Sequence, residues 1–116
     1  MRGIRQMRDE QITLITNTGT AYDESGFPVE DTEQHQTVFA KVKSVRASEY
    51  YEALRSNLKL AYIFCVDPDD FKLGDHKVDG KTVRAWAVEY ETVRYKIIRT
   101  YRTDTGDLEL SCEEVE

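Results

Sequence analysis

The chain has 116 residues, of which 40% are hydrophobic and 33% charged, with a net charge of −6. That length suits one domain with one core, burying roughly two thirds of the surface the unfolded chain exposes, so no disulfide or metal is required to hold it. The acidic balance argues against a protein whose main task is gripping nucleic acid along a basic face, because phosphate contacts supply most of that affinity.

The opening MRGIRQMRDE carries the positive charge of a secretion signal without the apolar segment that must follow it, and no run approaches the length of a membrane span. We therefore expect a single domain over residues 1–116, with 1–8 as a flexible arm, no export by this route and no membrane contact. A period of two then dominates. In QITLIT, Ile12, Leu14 and Thr16 share a face; in TVFAKVKSV, Val38, Ala40 and Val42 do, with Phe39, Lys41 and Lys43 opposite. Both read as half-buried strands. Between them, NTGTAYDESGFPVEDTE is rich in turn formers and predicts either an exposed loop or a long, loosely closed hairpin.

The next stretch, ASEYYEALRSN, reads as one short helix inserted after the second strand. Ser48 suits the N-cap, Glu49 and Glu52 the first turn, and Arg55 with Asn57 the end. A helix of this length does not persist alone in water. Either Tyr50 and Leu54 plug an open end of the fold, or the Tyr51 side is presented to a neighbouring subunit, where aromatic residues are enriched. LKLAYIFCV follows, with Leu58, Leu60, Tyr62, Phe64 and Val66 on one face and Ala61, Ile63 and Cys65 on the other, as in a central strand covered on both sides.

DPDDFKLGDH breaks that pattern and reads as a solvated acidic loop. Its Asp67, Asp69, Asp70 and Asp75 lack the glycine and the closing glutamate of a calcium loop. Asp79 and Gly80 predict a two-residue turn. From Thr82 to Glu114 the sequence reads as three strands. Trp86, Val88 and Tyr90 share a face in the first. Tyr95 and Ile97 point inward against Arg94 and Lys96 in the second, with a bulge suggested by adjacent Ile97 and Ile98. Gly106 turns the chain, and Leu108, Leu110 and Cys112 point inward in the last. The expected fold is all-β and mainly antiparallel, a small barrel of about six to seven strands with one short helix after the second.

Material for chemistry is thin. His35 and His76 lie in polar surroundings without metal-ligand spacing, and the six glycines are scattered singly through turns. Cys65 and Cys112 read as buried free thiols, with a cross-strand disulfide as the alternative. We expect no catalytic, cofactor-binding or metal-binding residues and no enzyme. Arg84, Arg94, Lys96, Arg99 and Arg102, interleaved with Trp86, Tyr90, Tyr95 and Tyr101, keep open a rival, a small nucleic-acid-binding β-barrel. Pairing of Arg94 or Lys96 with Glu109 or Glu113 across strands explains the same residues as a mixed polar face.

The order of motifs carries more. VFAKVKSVRASEYYEALRSNLKLAYIFCV followed by YKIIRTYRTDTGDLELSCE resembles the head-tail joining, or head-completion (stopper), proteins of siphophage-type connectors in tailed bacteriophages and prophages. The positions that carry the resemblance are Val42, Ser44, Val45, Ser48, Glu49, Tyr50, Tyr51 and Ala53, then Tyr95, Ile97, Arg99, Thr100, Tyr101, Leu108, Glu109, Leu110 and Cys112. It spans Ile12 to Glu113, with Asp67 to Thr82 unmatched.

The resemblance implies a structural β-barrel that is monomeric when free and forms a ring beneath the portal or adaptor protein. There it would complete the head and help retain packaged double-stranded DNA, without sequence-specific binding. A tail-side protein would be its other neighbour. Its location would be the host bacterial cytoplasm during assembly and the head-tail interface in the virion. Contacts with neighbours or the channel would fall on Arg46, Ser48, Glu49, Tyr50, Tyr51 and Arg55, and on Tyr22, Asp23 and Phe27 in the long connection.

Overall fold

The computed structural model describes residues 9–22, 24–26, 28–44, 55 and 60–115. The described strands are β1 (Glu10–Tyr22), β2 (Pro28–Ser44), β3 (Leu60–Val66), β4 (His76–Val78), β5 (Lys81–Val83), β6 (Ala87–Tyr90), β7 (Val93–Arg102) and β8 (Leu108–Glu114), with helix α1 (Pro68–Lys72) between β3 and β4. Six strands close a barrel in the order β1-β2-β3-β8-β7-β6, and β4 and β5 form a separate hairpin. Every pairing is antiparallel.

The two-residue period places the core. Ile12, Leu14, Val38, Ala40, Phe64, Val66, Val88, Leu110 and Cys112 come from five strands and pack together with Tyr90 and Tyr95. Phe64 stands at the middle of an aromatic cluster, its ring 5.5 Å from Tyr90 and 5.8 Å from Tyr95, while Tyr62 meets Tyr95 edge-on at 5.4 Å. Such edge-to-face contacts add to the burial of large apolar rings. On β3 the opposite side is buried too, with Ile63 5% and Cys65 2% exposed. β3 is therefore the doubly covered central strand expected from its run of apolar residues.

Several local expectations hold. Ile97 faces Cys112 and Arg99 faces Ser111, so Ile98 is the extra residue of a bulge. Asp79 and Gly80 have φ of 52° and 78° and join Val78 to Lys81 in a tight hairpin. Both cysteines are free and buried. The register sets Cys112 opposite Tyr62, whereas Cys65 faces Glu109, so the two thiols lie on different faces of the sheet. Burial pushes the Cys112 thiol up to about 12 and raises that of Cys65 as well. Arg55, between β2 and β3, is helical and exposed.

Of its two alternatives, the stretch Asn17–Glu33 takes the hairpin, paired almost to its tip. Two other readings are corrected. The acidic stretch after β3 holds α1, because Asp67 caps it by accepting from the Asp69 N–H at 2.8 Å, Pro68 suits its first turn, and Phe71 anchors it in the core. Trp86 leaves the face of Val88 and Tyr90. Residues 84–86 lie outside the strands, Ala85 takes the inward position, and the Trp86 ring sits 6.0 Å from the Arg94 guanidinium.

Candidate assembly surface

β1 and β2 pair continuously from Glu10 opposite Ala40 to Tyr22 opposite Pro28. Their other neighbours are short. β6 pairs with β1 only over Thr13–Ile15, and β3 pairs with β2 only over Lys41–Ser44. Past Asn17 and Glu33 the hairpin leaves the barrel as a two-stranded arm, about 17 Å long from Asn17 to Tyr22 at the usual strand rise. A bulge marks its base: Asn17 faces Glu33 and Gly19 faces Thr32, leaving Thr18 as the extra residue. Gly19 takes φ 111°, a backbone that side chains disfavour, and its N–H donates to the Asn17 side chain at 2.9 Å.

Charge divides the molecule along these strands. Between Asn17 and Gln34 the chain has Asp23, Glu24, Glu30, Asp31 and Glu33, and no lysine or arginine. β7 is the reverse, carrying Arg94, Lys96, Arg99 and Arg102 and no acid. Among the described residues an ion pair joins the two regions. Arg94 donates to both carboxylate oxygens of Glu33, at 2.8 and 3.1 Å, with Trp86 beside the guanidinium. That bond holds the Glu33 carboxyl below the usual carboxylate range, against an opposing effect of burial and with help from His35 at 3.4 Å. A bidentate guanidinium–carboxylate pair fixes geometry as well as charge.

The barrel leaves two strand edges open. β6 pairs with β7 only through Lys96, and the Ile97 N–H then donates to the Trp86 carbonyl at 2.9 Å. Beyond it, Ile98–Arg102 has β8 on one side and, among the described residues, no strand on the other. Arg99, Thr100, Tyr101 and Arg102 are all exposed, Tyr101 to 61%. Likewise β2 between Pro28 and Ala40 has β1 on one side and no described strand on the other.

The basic-aromatic face of the nucleic-acid reading forms only in part: Arg84, Lys96, Arg99, Tyr101 and Arg102 are exposed, while three of its members are engaged elsewhere. Tyr90 and Tyr95 point into the core, the Tyr90 hydroxyl donates to Glu10 at 2.6 Å, and that bond pushes the phenol pKa up. Arg94 is engaged by Glu33. Lys96 stands directly opposite Glu113, as a mixed polar face requires, whereas Glu109 pairs with Lys43 at 2.9 Å across β3. Among the described residues no group of His, Cys, Asp or Glu is placed to hold a metal, and no helix is long and apolar enough to cross a membrane.

Of the interface residues expected from sequence, Tyr22 lies at the tip of the arm opposite Pro28, and Arg55 is exposed. Arg46, Ser48, Glu49, Tyr50, Tyr51, Asp23 and Phe27 lie outside the described residues. The anchor made by Glu33, Arg94 and Trp86 was not anticipated, nor were the two open edges. The sequence does show the charge contrast between the base-free arm and the acid-free β7.

The described residues form a small, closed antiparallel β-barrel with a projecting acidic arm. The match to the family model for phage head completion protein runs over residues 7–115, and the chain belongs to that family. Among curated proteins none matches it. Membership gives it a structural role in phage head assembly, at the head-tail interface.

Proposed function

We propose that the protein completes the head as one subunit of a ring beneath the portal or adaptor, with a tail-side protein on its other face, and that the ring helps retain packaged DNA. The arm is the observation that carries this reading. Two strands projecting alone are marginal in water, so the arm needs a surface outside its own barrel. Its acidic, base-free composition also suits a position beside DNA, since it repels phosphate and lets the duplex pass without adhering. Net negative charge keeps free subunits apart until a template brings many weak contacts together.

The test is complementation of a phage lacking this gene. A variant with Thr20–Asp31 replaced by a two-residue turn should fold and melt like the intact protein, yet yield heads that lose DNA or fail to join tails. Full titre from that variant would overturn the role of the arm. Tyr50→Ala with Tyr51→Ala tests the second candidate region in the same assay, with reduced titre expected; wild-type titre would remove those residues from the interface.

A further inference from the structure

We infer that neighbouring copies join by strand addition: the open acidic edge of β2 in one copy lies along the open basic edge of β7, Ile98–Arg102, in the next. This rests on the ring reading and names the surfaces that build it. Unpaired strand edges are sites where another chain adds, and proteins that are to remain separate blunt them. Neither edge is capped by a described strand, and the exposed Tyr101 beside Arg99 and Arg102 supplies an amphipathic contact at one of them.

Charge decides which edges meet. β2 against β2 would set Glu30 and Asp31 of one copy against those of the other, and β7 against β7 would set arginines against arginines; like charges opposite one another destabilise a ladder. Glu33 is already held by Arg94, and the rest of the arm's sequence adds acids without a single base. The favourable combination is β2 with β7. It uses two different patches on each copy, so it is head-to-tail, the arrangement that closes into rings and does not stop at a dimer. The joint is charge-dependent and weakens as salt rises.

Charge reversal in assembled particles tests it. Arg99→Glu with Arg102→Glu, or Glu30→Arg with Asp31→Arg, should each cut incorporation into heads at least tenfold at unchanged melting temperature. The four changes together should restore it. Incorporation at wild-type level by either pair, or no recovery in the combination, overturns the joint. If a reversal lowers the melting temperature, Arg99→Gln with Arg102→Gln takes its place, with a threefold loss expected and wild-type incorporation as the overturning result. The mass of wild-type connectors is measured alongside. A single copy per particle would sink the ring reading and the joint with it, whereas a ring that forms despite the reversals sinks the joint alone.

Discussion

β1 and β2 each run through two regions that differ in what holds them. In the barrel their inward side chains Ile12, Leu14, Val38 and Ala40 are at most 4% exposed and meet Phe64, Val88 and Leu110 from other strands. Past Asn17 and Glu33, no other described strand pairs with either of them. Nothing in the backbone pairing changes at the boundary except one bulge at Thr18; the surroundings change completely. The barrel end folds on energy the chain itself supplies. The arm has its conformation from ladder bonds and one ion pair at its base, so its composition is free to serve a partner.

The contrast breaks most visibly at Phe64. Phe64→Ala removes the ring at the middle of the aromatic cluster and should cost about 3–5 kcal/mol, a large share of the roughly 5–15 kcal/mol typical of a domain. Urea unfolding measures it, and a loss under about 1 kcal/mol would mean that the cluster is not the core. The thiols sharpen the same point. With Cys112 pushed up to about 12 and Cys65 also raised by burial, both stay protonated and shielded at pH 8. Intact protein should resist a thiol reagent for hours and label twice in urea, whereas Phe64→Ala should label in minutes. One fast-reacting thiol in the intact wild type would contradict the burial of both faces of the paired β3 and β8.

A smaller loss is expected where barrel and hairpin layers join. The buried Thr16 hydroxyl donates to the Gly74 carbonyl, tying β1 to the turn after α1. Thr16→Val keeps the shape and leaves that carbonyl without its donor, at a cost of about 1–3 kcal/mol with an unchanged denaturant slope. A neutral result would show that the turn finds another donor, and that α1 docks through Phe71 alone.

Most of the barrel was legible because alternation is a local signal: each inward residue of β3 and β8, and the bulge at Ile98, can be read within about ten positions of sequence. α1 was also legible. Asp67 as cap, Pro68 behind it and acids in the first turn form a start signal, overlooked because five residues look like loop when only period and length are weighed. Alternation puts Trp86 on the wrong face, beside Val88 and Tyr90, because the regular period fails where residues 84–86 leave the ladder. The link between Glu33 and Arg94 spans 61 positions, and no local pattern reports it. Open edges are harder still. They depend on how far each neighbour extends, which is set by closure of the whole barrel.

The smallest effect tests whether that distant pair steadies the arm or only decorates it. Glu33 and Arg94 are each about one third exposed, so Glu33→Gln should cost no more than about 1 kcal/mol at neutral pH. Its pH dependence has a definite sign. The folded carboxyl titrates below the usual range, so the pair contributes fully above that range and loses its contribution as pH falls through the lowered value. The gap between wild type and Glu33→Gln should therefore be constant from pH 8 down to ordinary glutamate titration and close below it. A gap that widens in acid would assign the effect to another group. Amide exchange then locates it: faster exchange confined to Asn17–Thr20 and Asp31–Glu33, with β3 and β8 unchanged, is expected if the pair clamps the arm to the barrel. Equal exchange in both proteins would leave the bulge and the ladder as sufficient supports for the arm, and Arg94 free to be judged with the other cations of β7.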